Sequence, residues 1–202
     1  MKRLLFSVIC NLIAISLFAI TPKGILDKAA SLFKSAPYCD VDYSIIVGKD
    51  SESGKITIQG NKFHNKMSNM EIWFDGKNMW SLNKDNDEVN LTVPTPQQVA
   101  KINPYSFLNI YKNGFKIESG KSAKDYHEVI LTALNQKSSI SKMIIRVNKT
   151  SYQIQYIKMS HAKSGDMEIK VTSYKKGTQK KHDSAFRFNK QKYPNTDIID
   201  LR

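Results

Sequence analysis

Apolar positions recur along this chain with two different periods. Between Pro22 and Ala36, the residues Ile25, Leu26, Ala29, Leu32 and Phe33 fall at i, i+1, i+4, i+7 and i+8. That spacing predicts an amphipathic helix, and Lys23, Lys28 and Lys34 lie off its apolar stripe. Thr21 supplies a capping hydroxyl, Pro22 fits the first helical position, and Pro37 ends the run. From Asp40 the period becomes two. Val41, Tyr43, Ile45 and Val47 alternate with Asp40, Asp42, Ser44 and Ile46, which predicts a strand with one polar face. A polar turn over 48–54 follows, Lys55 to Gln59 repeats the alternation, and Gly60-Asn61 turns the chain before Phe63 to Met67.

The stretch from Met70 to Leu82 places Asp75-Gly76 between two apolar runs, a hairpin signal. A loop of Asp75 to Lys77 pairs Phe74 with Asn78, Ile72 with Trp80 and Met70 with Leu82. That register gathers Met70, Ile72, Phe74, Trp80 and Leu82 on one face, and a slip of one residue would scatter them. Glu88 to Val93 is a further strand, with Val89, Leu91 and Val93 on one side. The sheet pattern then stops. Thr95, Pro96 and Gln98 form a capping-box start for one short helix. Asn103 and Pro104 start a second, whose Phe107, Leu108, Ile110 and Tyr111 share an apolar face that Gly114 closes. Strands resume at Phe115 to Glu118, His127 to Leu134, Ile140 to Val147, Tyr152 to Met159 and Asp166 to Tyr174.

These elements make an α+β chain, mainly β, with about eleven strands in an antiparallel meander. No fixed repeat or low-complexity linker divides it, so residues 20–202 read as a single domain. The tail, with Phe186, Phe188, Tyr193 and Ile198 to Arg202, is apolar enough to pack.

The first nineteen residues stand apart. Lys2 and Arg3 precede an apolar run from Leu4 to Phe18, the pattern of a cleaved export signal, with the mature chain starting near Ile20 or Thr21. Losing Lys2 and Arg3 takes Lys+Arg from 31 to 29 against 18 acidic residues, leaving a mature charge of +11. Such a charge is either an ordinary solvated basic surface or one that favours anionic partners, and for the second, export makes lipid headgroups a better match than nucleic acid. Cys10 leaves with the signal, so Cys39 has no intramolecular partner and acts as a small buried hydrophobe.

Catalytic and metal patterns are missing from the sequence. His64, His127, His161 and His182 have no metal-ligand spacing, and there is no nucleophile elbow, phosphate-binding glycine loop or Cys-x-x-Cys. The cluster Asn83, Asp85, Asn86, Asp87 and Glu88 lacks the glycine of a calcium loop and reads as a hairpin turn. The expectation is a protein with no catalytic residues, no metal and no cofactor. Its apolar sheet face and amphipathic helices have two possible uses: the helices seal an ordinary core, or they act as a lid over an apolar cavity.

Three blocks carry a resemblance. Phe74 to Trp80, Glu88 to Pro96 and Ile102 to Phe107, together with the ending Phe186-Arg187-Phe188, Tyr193-Pro194 and Asp197 to Arg202, resemble the periplasmic outer-membrane lipoprotein carrier family (LolA-like) in its Bacteroidetes-type version. The resemblance implies an incomplete antiparallel β-barrel closed by short lid helices over an apolar cavity. It implies a monomeric periplasmic carrier of acylated lipoproteins. Such a carrier is loaded by an inner-membrane lipoprotein-releasing ABC transporter and emptied at an outer-membrane acceptor or the membrane itself. A same-fold sensor or regulatory module that binds lipids or lipoproteins is the other reading. An acyl chain of about fifteen methylenes costs roughly 12 kcal/mol to expose to water, at about 0.8 kcal/mol each, so only a protein cavity carries it across. The acyl-contacting candidates are Ile58, Met70, Ile72, Phe74, Trp80, Leu82, Val89 and Leu91 as sheet wall, with Leu32, Phe33, Phe107, Leu108 and Tyr111 on the lid side. One departure stands out. Many family members carry an Arg-Pro pair soon after the second strand, and its arginine latches the lid. Here the stretch is Gln59-Gly60-Asn61-Lys62.

Overall fold

The computed structural model describes residues 20–103, 105, 108, 111–161 and 165–202. The expected export signal lies outside these residues, as does Phe107. The chain opens with α1 (Pro22–Lys34), capped by Thr21, whose hydroxyl accepts a hydrogen bond from the Gly24 N–H at 3.1 Å. Ile25, Leu26, Ala29 and Ala30 are its buried residues. The inward stripe is thus rotated slightly from the expected one, and Leu32 and Phe33 are only half-buried at its end.

Six strands follow as a meander: β1 (Cys39–Val47), β2 (Asp50–Gln59), β3 (Lys62–Lys66), β4 (Met70–Phe74), β5 (Met79–Asn83) and β6 (Glu88–Thr92). After α2 (Pro96–Ile102) come β7 (Phe115–Ser119), β8 (Tyr126–Ala133), β9 (Ile140–Asn148), β10 (Ile154–His161) and β11 (Gly165–Lys176). A short 3-10 turn (Asp183–Phe186) leads to β12 (Asp197–Asp200). All twelve strands join one sheet in the order β12-β6-β5-β4-β3-β2-β1-β11-β10-β9-β8-β7. The seam between the two meanders is the antiparallel pairing of β1 with β11, from Cys39 opposite Lys176 to Val47 opposite Met167, with a bulge at Asp42/Tyr43. The two edge strands, β12 and β7, do not pair with each other. The sheet is therefore an incomplete barrel with an open side.

That topology dictates the lid. β6 stands next to one edge of the sheet and β7 forms the other. Residues 93–114 connect them and must cross the open side. Thr95 and Gln98 form the expected capping box at the start of α2, with Gln98 Oε1 accepting from the Thr95 N–H at 2.7 Å and the Thr95 hydroxyl accepting from the Gln98 N–H at 3.3 Å. Asn103 then caps the next turn, accepting from the Tyr105 N–H at 3.0 Å, and Tyr105, Leu108 and Tyr111 are buried. Pro104 and Ile110 lie outside the described residues.

Three expectations need correcting. The polar stretch 48–54 is not a long turn. Gly48, at φ +61°, and Lys49 turn the chain alone, and β2 begins at Asp50 opposite Val47. The hairpin loop of β4 and β5 is one residue longer than expected, so Phe74 pairs with Met79, Trp73 with Trp80, Ile72 with Ser81 and Met70 with Asn83. This shift turns Trp80 and Leu82 to the opposite face from Ile72 and Phe74. Finally, the tail adds a twelfth strand: β12 runs parallel to β6, pairing Ile198 with Val89.

The hairpin correction shows that the sheet is apolar on both faces across β4 to β6. One core combines α1 with Val41, Tyr43, Ile56, Ile58, Phe63, Ile72, Phe74, Val129, Leu131, Ile145, Ile157 and Ile169, and the lid residues Tyr105, Leu108 and Tyr111. A second cluster lies on the other face, with Trp73, Leu82 and Val89 covered by Trp80, Phe188 and Tyr193. Trp73 meets both covering rings edge-on, at centroid distances of 5.5 Å and 5.8 Å.

Candidate functional site

The open side of the sheet carries a cavity of about 280 Å³ where α1 meets the lid. Its apolar walls come from Phe33 of α1, Ala36 just after that helix, Ile58 of β2, and Tyr105 and Leu108 of the lid. Gly60 and Asn61 form part of its rim. They occupy the stretch where the family pattern has its arginine, and Gly60 makes the β2–β3 turn at φ +61°. Tyr105 and Phe33, both in its lining, stack directly on each other with ring centroids 4.8 Å apart, nearly parallel. The Tyr105 hydroxyl is buried with no hydrogen-bond partner among the described residues, and burial raises its pKa. Beside it, Cys39 Sγ and the Tyr174 hydroxyl share a hydrogen bond at 3.0 Å, and burial raises the pKa of both groups. A thiol with a raised pKa is a packing group rather than a nucleophile.

A second tie holds the lid at its far end. The Tyr111 hydroxyl donates to Asp27 Oδ1 of α1, and Lys112 Nζ lies 3.4 Å from the same carboxylate. Lys23 approaches Asp27 Oδ2 at 2.7 Å. The Lys23 and Tyr111 hydrogen bonds hold the Asp27 carboxyl down at about 2, against a small opposing effect of burial. Among the described residues, the lid is thus fastened to α1 by one stacked aromatic pair and one carboxylate.

The structure separates the expected wall residues. Phe33, Ile58 and Leu108 line the cavity, with Tyr111 buried beyond it at the second tie. Ile72 and Phe74 belong to the same core but stand deeper in the sheet. Leu32 is half-buried, and Met70 is 41% exposed at a strand end. Trp80, Leu82 and Val89 lie on the opposite face, under Phe188 and Tyr193, and Leu91 shares the parity of Val89 on β6. These four are displaced because the hairpin register shifts by one residue and because the tail covers apolar positions on the far face. Ala36, Tyr105 and Asp27 went unnoticed in the sequence. Asp27 offered the clearest signal, a lone acid in a lysine-bearing amphipathic helix.

Among the described residues, no three His, Cys, Asp or Glu side chains gather closely enough to hold a metal ion. What the site offers is an apolar cavity roofed by the lid, an arrangement suited to binding.

Comparison with known proteins agrees with this architecture. No curated protein sequence matches the chain. Among solved structures, an uncharacterized conserved protein from Thermus thermophilus superposes with a TM-score of 0.60 at 9% identity, covering 88% of this chain and 98% of that one. A LolA superfamily protein from Nitrosomonas europaea matches at a TM-score of 0.45 and 14% identity, covering 84% and 99%. The MucA/MucB complex from Pseudomonas aeruginosa matches at 0.45 and 8%, covering 83% of this chain and 61% of that one. The family model described as outer membrane lipoprotein carrier protein LolA matches residues 14–163. The chain belongs to the LolA outer membrane lipoprotein carrier family.

Proposed function

We propose that the protein is a periplasmic acyl-chain-binding module, exported by its N-terminal signal. It takes the fatty chains of a lipoprotein or lipid into the cavity between α1 and the lid. The observation that carries this reading is the cavity itself, whose apolar walls of Phe33, Ala36, Ile58, Tyr105 and Leu108 sit under a roof fastened at two points. The volume supports one of two ways of using such a site. About 280 Å³ lies just below the usual range of small-molecule pockets, about 300–1,000 Å³. It accepts part of one chain while the lid stays fastened. A protein that detects an acyl chain and passes a lid movement to a partner fits this better than a bulk shuttle, so the sensor or regulatory reading comes first. The lipoprotein carrier, loaded at the inner membrane and emptied at the outer, is the second reading, and membership of the carrier family favours it.

The test is uptake of a synthetic triacylated peptide, followed by native mass spectrometry of residues 20–202. One peptide per chain is expected. Ala36→Trp should block uptake without unfolding the protein, because it fills the rim of the cavity. Absence of uptake by the unaltered protein would overturn the proposal. Transfer of bound peptide onto vesicles separates the readings: a carrier releases it, a sensor keeps it until a partner protein is added.

A further inference from the structure

The face of the sheet turned away from the lid holds a larger cavity, of about 430 Å³. Its floor is built by β3 and β4, which present His64, Lys66, Glu71 and Trp73 to this side. Its roof is the segment 181–193, which runs back across the sheet before β12. Four fastenings hold that roof, the first an ion pair of Lys62 Nζ on β3 with Asp183 at 2.6 Å. The Gln59 side chain bonds the Lys181 backbone in both directions, at 2.8 Å and 3.2 Å. Arg187 Nε meets Asp75 at 3.1 Å, and the Tyr193 hydroxyl donates to Glu71 at 3.1 Å.

The lining is strongly cationic. Lys66 rises from the floor, and Lys181, Arg187 and Lys192 descend from the roof; Glu71 is the carboxylate in the lining, and Asp75 beside it pairs with Arg187, which leaves the lining cationic on balance. Glu71 is already engaged: His64 Nε2 lies 2.7 Å and Lys66 Nζ 3.3 Å from its Oε1, and Tyr193 takes Oε2. Lys192 has no carboxylate partner among the described residues, and Lys181 Nζ rests 4.1 Å from the Tyr38 ring centre. Like charges brought to both walls of one cleft repel each other and focus a positive potential into it. An anion placed there relieves that repulsion and gains charge-assisted hydrogen bonds from both walls.

We propose that this cavity binds a phosphate ester carried on a small polar group. A phosphate offers several acceptor oxygens to cations on opposite walls, which a single carboxylate serves less well. The volume lies in the range of about 300–1,000 Å³ typical of small-molecule sites, larger than a bare ion needs. The sheet separates this cavity from the one under the lid, so the proposal stands independently of the acyl-binding reading. The phosphate ester has two possible sources, a soluble metabolite or the headgroup of an anionic membrane lipid.

Tryptophan emission reads this face selectively, because Trp73 and Trp80, the two tryptophans of the chain, both belong to its apolar cluster. The experiment titrates the protein with sn-glycerol 3-phosphate, and in parallel with vesicles of phosphatidylcholine with and without phosphatidylglycerol. Lys192→Glu tests the site, and Lys142→Glu on exposed β9 makes the same charge change far along the sheet. A saturable emission change with glycerol phosphate, weakened about tenfold or more by Lys192→Glu and untouched by Lys142→Glu, supports a soluble ester. Binding only to phosphatidylglycerol vesicles, with the same variant pattern, supports the membrane headgroup. No response to either probe overturns the proposal, and so does an equal loss in both variants, which would mark attraction to net charge alone.

Discussion

Tyr43 shows how closely single residues depend on one another in this sheet. Its ring lies over Gly54, opposite it on β2, and its hydroxyl donates to Asn65 Oδ1 at 2.7 Å. A Cβ on Gly54 would stand 2.5 Å from the Tyr43 ring and hydroxyl. Gly54→Ala should therefore lower stability by about 1–3 kcal/mol, read as a fall in the denaturant midpoint. Tyr43→Phe leaves a buried amide oxygen unpaired and should cost a similar amount. Glu71 gives the clearest pH prediction. Burial alone would raise its pKa, but the His64 hydrogen bond, the Lys66 charge and the Tyr193 hydroxyl overcome it and hold the carboxyl at about 2. A carboxyl with a lowered folded pKa stabilises the fold above its unfolded value, near 4.5, and loses that contribution as pH falls toward about 2. The contribution at neutral pH is about 3 kcal/mol. Glu71→Gln should flatten the stability profile across that window in acid titrations.

At the scale of elements, the lid rests on two independent ties. Phe33 stacks on Tyr105, and Asp27 accepts from Tyr111. Tyr111→Phe removes the hydroxyl from the second tie and leaves only the Lys112 contact to Asp27, while keeping the buried ring, so uptake of an acyl probe should become faster with little change in melting temperature. Stopped-flow fluorescence with a dansyl fatty acid would show it, and an unchanged rate would mean the lid does not control entry. The elements themselves were largely legible in the sequence. Thr21-Pro22 and Thr95-Pro96 with Gln98 announce their helices because capping chemistry is local. The register of β4 with β5 was not legible, and neither was β12. Alternation identifies a strand's buried face only when one face is apolar. Here Trp73, Leu82 and Val89 are buried on the outer face by Phe188 and Tyr193, residues about a hundred positions away. The parallel pairing of Ile198 with Val89 is equally non-local. The same blindness hid the cationic cavity, since its floor and roof meet only in the folded chain.

The molecule as a whole places two separate sites on the two faces of one sheet. Binding under the lid should leave tryptophan emission unchanged, because both indoles sit on the far face. A parallel acyl and tryptophan titration checks that separation. The seam between the meanders has one further effect, on how the chain reaches this state. β1 forms early in the chain, yet its second neighbour is β11, so Cys39 waits for Lys176. Until then β1 to β6 present a half-covered edge, and the apolar side of α1 lacks β7 to β9 to rest on. Contacts so distant in sequence slow folding and prolong the life of sticky intermediates. Substitutions that weaken β11 should therefore slow refolding, by leaving the first half of the chain without its seam partner.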